Sequence, residues 1–126
     1  MADWKWVRDD VVLALHDEQL AEHGGAAGIR DLGLLQSALA RPENLAAYGA
    51  PDAAALAAAY AFGIARNHPF TDGNKRTAAV TALLFLMHNR IAFQIGEAEL
   101  VVMTLALAAG DLSENETAAW LRDRLT

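Results

Sequence analysis

Residues 67–77 read NHPFTDGNKRT and separate the two most apolar segments of the chain. Residues 53–65, before them, carry no charge, and residues 78–87, after them, are apolar except for Thr81. A helix that is apolar on all faces belongs in the middle of a domain. The pattern therefore predicts two central helices that meet at a polar loop. Because buried polar groups are costly unless they bond to each other or to a ligand, we expect this loop to be the active site.

The charge distribution supports the same choice. The chain has a formal net charge of -6, yet residues 53–96 contain four basic residues and one acid, Asp72, and are locally +3. A cationic pocket on an acidic protein favours a compact anionic ligand, whereas nucleic acid would need a broad basic face. We therefore expect no direct nucleic-acid binding. The four basic residues are Arg66, Lys75, Arg76 and Arg90.

Length and composition limit the class of protein. With 126 residues and a hydrophobic fraction of 54%, the sequence predicts one domain over residues 1–126. The lack of cysteine excludes disulfides, thiolate metal ligands and a thiol nucleophile. There is no signal pattern at the N-terminus, and both apolar runs are shorter than the roughly 20 residues that span a bilayer. We expect a soluble cytoplasmic protein with no membrane partner.

Apolar spacing and capping residues predict an all-α bundle of about six helices. Residues 43–50 are expected to form an irregular loop, and residues 91–95 a short extended segment. Proline and glycine positions set several of the helix ends. The expected helices cover about 9–23, a short stretch from Asp31 that stops before Pro42, Pro51 to about Arg66, Gly73 or Asn74 to near Asn89, 97–109, and a last helix that Ser113 begins.

The polar loop offers groups suited to a phosphate. A helix N-terminus presents unpaired N–H groups and a partial positive charge, and Gly73 lets the backbone approach a ligand closely. Asn74, Lys75 and Arg76 add donors and two charges at the same helix end. Phosphate is therefore the predicted anion.

The two remaining polar groups suit phosphoryl-type transfer. Asp72 could hold Mg²⁺ together with phosphate oxygens. His68 could serve as the general base for an attacking hydroxyl. Simpler structural roles stay open at this point, since His68 could be a hydrogen-bonded loop histidine and Asp72 could cap the next helix. Likewise, Asn74 could be a turn residue, and Lys75 and Arg76 could be solvated charges.

Phe70 and the three histidines outside the loop are assigned no chemical role. Phe70 is expected to pack the loop against the core. His16, His23 and His88 show no pattern of partners around them, and His88 suits the dipole at a helix C-terminus.

Residues 68–77, HPFTDGNKRT, resemble the signature of the Fic/Doc superfamily, and specifically of its Doc (death-on-curing) toxin branch. An N-terminal block also resembles Doc proteins, so the similarity covers most of the chain. The block comprises Leu15-His16-Asp17, Gly24-Gly25, Gly28-Ile29-Arg30-Asp31, Leu35, Ser37-Ala38-Leu39 and Arg41-Pro42.

The resemblance implies an all-α Fic fold in which His68 is the catalytic base and Asp72 coordinates Mg²⁺. The backbone at Gly73, with Asn74, Lys75 and Arg76, would hold the phosphates of ATP. Arg66 also matches a Doc position near the site. Residues 43–50 occupy the place of the Fic flap, which aligns the target segment by strand-like pairing.

Two positions separate this sequence from AMP-transferring Fic enzymes, which have a glycine in place of Lys75 and an arginine in place of Ala79. Doc toxins share both changes and are similar to kinases that transfer the γ-phosphate of ATP to a threonine of elongation factor Tu, which arrests translation. The resemblance thus implies a toxin with kinase activity. The alternatives are Fic-type adenylyl transfer (AMPylation) and an antitoxin-binding module without catalysis.

Fic proteins are commonly restrained by a helix with a Ser/Thr-x-x-x-Glu-Gly/Asn motif. Glu43-Asn44 and Glu114-Asn115 are preceded at the required position by Leu39 and Gly110, so neither completes that motif. The resemblance therefore implies an inhibitor on a separate chain, a Phd-like antitoxin that fills an apolar groove.

Overall fold

The computed structural model describes residues 3–126. These residues form six α-helices and no β-sheet, which confirms the predicted all-α class. Across the same residues, no helix combines the length and the apolar character needed to cross a membrane. The helices are α1 (Asp9–His23), α2 (Leu32–Tyr48), α3 (Ala53–Asn67), α4 (Asn74–His88), α5 (Glu97–Ala109) and α6 (Glu114–Arg122).

The central helix is α3, because its small side chains allow other helices to approach closely. It contacts α2, α4, α5 and α6, and 11 of its 15 residues are buried. At Gly63 the packing is so close that an added Cβ would lie 3.1 Å from the Cα of Ala38 in α2. α4 packs mainly on α3. The central loop, residues 68–73, therefore joins two firmly packed helices.

Two predictions about residues 40–50 are wrong. α2 continues through Pro42 to Tyr48, so residues 43–48 are helical and do not form an irregular loop. Proline inside a helix removes a hydrogen bond and costs roughly 3 kcal/mol, which is why the sequence pattern favoured an earlier end. Pro42 is buried, and the packing of α2 on α3 outweighs this local preference.

Residues 91–95 form the expected extended segment. Its pairing is limited to one isolated antiparallel bridge, between Phe93 and Leu125. The N–H of Gln94 donates to the carbonyl of Arg124 over 2.9 Å, and the N–H of Thr126 donates to Ala92 over 2.9 Å. This contact holds the last residues of the chain against the segment that follows α4.

Candidate active site

His68 ends α3 and begins the central loop. Its backbone is in the left-handed region, at φ 50° and ψ 57°, and its N–H donates to the carbonyl of Ile64 over 3.2 Å. The Nε of Arg30 donates to the carbonyl of His68 over 2.7 Å. The hydrogen bonds found at His68 thus involve its main chain, while its side chain is exposed. An exposed imidazole on a fixed backbone is accessible to a protein hydroxyl.

The interior of the loop is held by Asn74. Its Oδ1 accepts from the N–H of Phe70 over 2.9 Å, and its Nδ2 donates to the carbonyl of Phe70 over 2.9 Å. Phe70 is buried, which agrees with its predicted role as an anchor. Because both polar ends of the Asn74 side chain are occupied, this residue offers a phosphate its backbone N–H at the start of α4.

Asp72 presents an ionised carboxylate beside the start of α4. Its Oδ1 accepts from the N–H of Gly73 over 2.9 Å, and its Oδ2 accepts from the N–H of Ala26 over 3.3 Å. The Gly73 hydrogen bond is the main cause that lowers the pKa of this carboxyl, with smaller effects from Ala26 and from the charge of Arg76. Asp72 therefore does not cap α4, whose N-cap is Gly73.

The N-terminus of α4 lacks a side-chain cap. Gly73 adopts φ 77° and ψ 16°, a left-handed conformation that glycine takes without strain, and it makes no side-chain cap hydrogen bond. The first N–H groups of a helix have no partner within the helix, so they remain available to an anion. Lys75 is exposed at this helix end. These groups form a positively polarised surface next to the Asp72 carboxylate.

Arg76 is partly committed to the protein. Its Nη2 donates to the carbonyl of Gly24 over 3.1 Å. Its Nε is buried and has no hydrogen-bond partner within residues 3–126. A buried guanidinium donor without an acceptor is costly to the fold.

The contacts of Arg66 lie outside the loop. Its guanidinium carbon is 5.1 Å from the centre of the Phe62 ring, and an added Cβ at Gly110 would lie 3.4 Å from its Nη2. His68, Asp72, Gly73, Lys75 and Arg76 lie on the central loop and the first turn of α4, and their roles in the reaction, like that of Arg66 in nucleotide binding, stay predictions.

The connection between α1 and α2, residues 24–31, lies along the central loop. Ile29 and Phe70 form an antiparallel bridge, the N–H of Thr71 donates to Gly28 over 3.1 Å, and the N–H of Arg30 donates to Pro69 over 2.7 Å. Sequence reasoning placed this segment in the block that resembles Doc proteins but predicted no contact between it and the central loop. Its glycines were the available signal, since Gly24, Gly25 and Gly28 all have positive φ.

His16 of α1 is the second contact that sequence reasoning missed. Its Nε2 lies 2.8 Å from the carbonyl oxygen of Asp72, and its ring stacks on Phe70 at 3.8 Å with an angle of 8°. The side chain is only 3% exposed. The contact joins residues 56 positions apart, so no local pattern marks it.

Two surface concavities lie away from this loop. One, of about 330 Å³, is lined by residues around Val7 and Leu39, and the other, of about 380 Å³, lies beside Tyr48. Neither includes a residue of the central loop. A ligand at the start of α4 would therefore bind on an accessible face and not inside one of these cavities.

The Fic class of protein is defined by an all-α bundle in which a His-Pro-Phe loop precedes a helix whose N-terminus suits a phosphate. The model of the Fic/DOC family matches residues 6–86, and the chain belongs to this family, on its Doc branch. It is 34% identical over 117 residues to "Protein kinase doc" of Escherichia phage P1, which covers 92% of each chain. It is 40% identical over 96 residues to "Toxin Doc" of Mycolicibacterium smegmatis, which covers 71% of this chain and 73% of that toxin.

Proposed function

We propose that this protein is the toxin of a toxin–antitoxin pair and acts as a Mg²⁺- and ATP-dependent protein kinase. Its substrate would be a serine or threonine hydroxyl of a translation factor that resembles elongation factor Tu, and its product would arrest translation. The observation that carries the proposal is one short loop on which His68 is exposed and Asp72 is ionised, followed by a start of α4 that has no side-chain cap. The similarity over 92% of the chain to a relative named as a protein kinase supports it.

The start of α4 would bind the phosphates of ATP. The uncapped N–H groups point at an incoming anion, and the partial charge of the helix dipole adds attraction. Lys75 supplies a full charge on a flexible stem, and Arg76 adds a second positive charge in the first turn of α4. The backbone N–H groups, the basic side chains and the helix dipole thus all favour binding of a phosphate.

Asp72 fits a magnesium ion that is shared with a nucleotide. Both carboxylate oxygens accept one backbone hydrogen bond, so each keeps a lone pair for a metal. No group of three or more His, Cys, Asp or Glu suited to a metal occurs within residues 3–126. One carboxylate is a weak site by itself, but Mg²⁺ typically binds one or two carboxylates plus substrate phosphates. When bound, the ion would neutralise phosphate charge at Asp72.

His68 would act as the general base. Its imidazole accepts the proton of the substrate hydroxyl as that oxygen bonds to the γ-phosphorus. The bond from the γ-phosphorus to the oxygen that bridges the β- and γ-phosphates breaks, and ADP leaves with that electron pair. Arg30 fixes the His68 carbonyl, so the base approaches the substrate from a defined backbone position.

The residues at positions 75 and 79 favour transfer of the γ-phosphate over transfer of AMP. Lys75 stands where AMP-transferring relatives of this family have glycine, and its side chain would occupy the space that glycine leaves. Ala79 is 6% exposed and carries no group that could replace the arginine of those enzymes. Adenylyl transfer is therefore the second candidate.

The decisive experiment compares ATP labelled at the γ-phosphate with ATP labelled at the α-phosphate. Each is incubated with the protein, Mg²⁺ and elongation factor Tu, with His68→Ala as the control. We expect the γ-label alone to stay on the factor and to vanish with the variant. Retention of the α-label would replace the kinase by adenylyl transfer. Growth arrest by His68→Ala, with neither label transferred, would indicate a module without catalysis.

We also propose that a Phd-like antitoxin on a separate chain restrains the toxin. The 126 residues do not contain the inhibitory motif that restrains many members of this family. Co-expression of the cognate antitoxin should restore growth and form a stable complex with the purified toxin. Growth arrest that persists despite equal expression of both chains would contradict this pairing.

A further inference from the structure

His16 is the buried polar side chain that touches the central loop from another helix. Among residues 3–126, the other buried polar side chains either form a hydrogen bond within four residues, as Asn74, Thr104 and Thr117 do, or have no partner, as is the case for Thr77 and Thr81. Thr104, for example, donates to Leu100 over 2.7 Å, and Thr117 donates to Ser113 over 2.8 Å, both within one helical turn. In contrast, His16 bonds the carbonyl of Asp72 over 2.8 Å. Its hydrogen bond is therefore made with the site and not with its own helix.

The contact defines which nitrogen of His16 carries hydrogen. A carbonyl oxygen only accepts, so Nε2 must be the donor, and it carries hydrogen in the corresponding neutral tautomer and in the imidazolium. The ring plane is fixed as well, because it stacks on Phe70 at 3.8 Å and 8°. Phe70 is itself held by two hydrogen bonds to Asn74. The donor thus has a defined position and direction.

The carbonyl that His16 holds belongs to the peptide bond between Asp72 and Gly73. A trans peptide is planar, and its C=O and N–H groups point in opposite directions. When the carbonyl is held toward α1, the N–H of Gly73 must point away from α1. That N–H donates to the Oδ1 of Asp72 over 2.9 Å. The orientation of one peptide plane therefore also sets the orientation of the carboxylate.

We propose that His16 is a positioning residue that orients the Asp72–Gly73 peptide and thereby the Asp72 carboxylate toward Mg²⁺–ATP. This inference rests on the proposed function, since it assigns His16 to the same site. The main chain of Gly73 also lies close to His16, since an added Cβ would be in van der Waals contact with Nε2 of His16, at 3.6 Å. His16 acts through the peptide and does not touch the nucleotide.

Three variants separate the donor from the stacked ring. His16→Gln keeps an N–H near the position of Nε2, whereas His16→Phe keeps an aromatic ring on Phe70 and loses the donor. His23→Gln makes the same chemical change at an exposed residue of α1 whose ring faces Glu22 and makes no described hydrogen bond to the loop, and it is the matched control. Each variant is compared with wild type by thermal unfolding, by titration with Mg²⁺–ATP and by γ-phosphate transfer to elongation factor Tu.

We expect His16→Phe to weaken Mg²⁺–ATP binding and transfer about 10- to 100-fold, the range found when outer partners of metal ligands are removed. His16→Gln should stay within about threefold of wild type, and His23→Gln should be unchanged. In the NMR spectrum of nucleotide-free protein, the signal of the Gly73 amide proton should move upfield in His16→Phe but not in His16→Gln or His23→Gln. Equal loss in folded His16→Gln and His16→Phe, or no loss in either, would overturn the proposal.

The wild-type protein provides a test that does not depend on the variants. The ¹⁵N spectrum of the imidazole should show hydrogen on Nε2 of His16, and a dominant Nδ1–H tautomer would overturn the proposal even if His16→Phe fails to fold. If wild type transfers no phosphate, the proposed function fails. The Gly73 amide and the His16 tautomer would still decide the positioning role.

Discussion

The central loop and the connection between α1 and α2 lie against each other, but they supply different chemical groups. The loop and the start of α4 present the side chains for which we predict a role in the reaction, among them His68, Asp72 and Lys75. The connection contributes mainly backbone atoms, such as the carbonyls of Gly24 and Gly28 and the N–H of Ala26. One region is suited to reaction chemistry, and the other holds it in place.

This difference explains what a sequence reveals. Functional side chains that are close together in the sequence form a recognisable motif. Such a motif predicts both where the site lies and what kind of site it is. Nearly every residue has the same backbone N–H and C=O groups, so the sequence does not show which of them contact a site. The available signal is the glycines that permit the required φ angles. The comparison predicts that changes in the loop abolish activity, while changes in the connection reduce it through geometry.

His68→Ala should have the largest effect, because it removes the proposed base from the loop. We expect γ-phosphate transfer to fall about 10²- to 10⁴-fold, the usual contribution of a general base. The side chain is exposed and its described bonds involve the backbone, so the unfolding midpoint should change little. Labelled-phosphate transfer and thermal unfolding measure the two quantities. A variant that folds normally and transfers at the wild-type rate would remove His68 from the mechanism.

Arg30→Ala tests a side chain of the connection that forms a hydrogen bond with the loop. Its Nε donates to the carbonyl of His68 over 2.7 Å and its Nη2 to that of Asn67 over 2.8 Å. Because a misplaced catalytic group loses up to about 100-fold in rate, we expect transfer to fall about 10- to 100-fold. The free energy of unfolding should fall by about 1 kcal/mol.

Arg30→Lys is the matched control for this effect. Lysine keeps the positive charge near the C-terminus of α3 but lacks the planar fork that reaches two carbonyls. We expect its transfer rate to stay close to that of Arg30→Ala. A rate restored to wild type by lysine would show that charge, and not the fixed geometry of His68, is what Arg30 supplies.

Most of the helices could be predicted because their signals are local. Asp31 accepts from the N–H of Leu34 over 3.0 Å, and Ser113 and Glu116 form a capping box, as their spacing predicted. Pro42 shows the limit of such signals, since its local preference to end a helix is outweighed by packing on α3. Tertiary burial is a property of the whole fold and cannot be read at one position.

The same limit applies to the site. Its motif marked His68 and Asp72 because their chemistry lies within five residues, and the family resemblance added their roles. His16 belongs to the block that resembles Doc proteins, but nothing in the sequence marked its contact, because its partner is 56 residues away and is a backbone carbonyl. From sequence alone, a histidine on a helix face could be exposed or buried. Which of the two applies depends on whether another element packs against that face.

Gly25→Ala tests whether the backbone of the connection limits the position of Asp72. An added Cβ at Gly25 would lie 2.8 Å from the Oδ2 of Asp72, and its φ is +124°. We expect the strain to lower the free energy of unfolding by about 1–3 kcal/mol, and the Mg²⁺ requirement for transfer to rise several-fold. Chemical denaturation and a Mg²⁺ titration measure these effects.

Gly24→Ala is the control, because Gly24 also has positive φ, +77°, but an added Cβ would have no atom within 4 Å. It should lose about 1 kcal/mol of stability and keep the wild-type Mg²⁺ requirement. If both variants raise that requirement equally, backbone strain alone is responsible, and the close approach of Gly25 to Asp72 has no separate effect.

The smallest effect concerns the charge of Asp72. Its pKa is lowered in the folded protein, chiefly by the N–H of Gly73, so the ionised form stabilises the fold. This contribution is complete above the pKa that the carboxyl has in the unfolded chain, about 4, and is lost as the pH falls through its lower pKa in the folded protein.

Asp72→Asn keeps an acceptor for Gly73 but has no charge. We therefore expect the difference in unfolding free energy between wild type and Asp72→Asn to be largest above about pH 5 and to shrink in more acidic solution. Denaturation at several pH values measures it, and a difference that grows as the pH falls would show that the Gly73 hydrogen bond does not favour the ionised carboxylate.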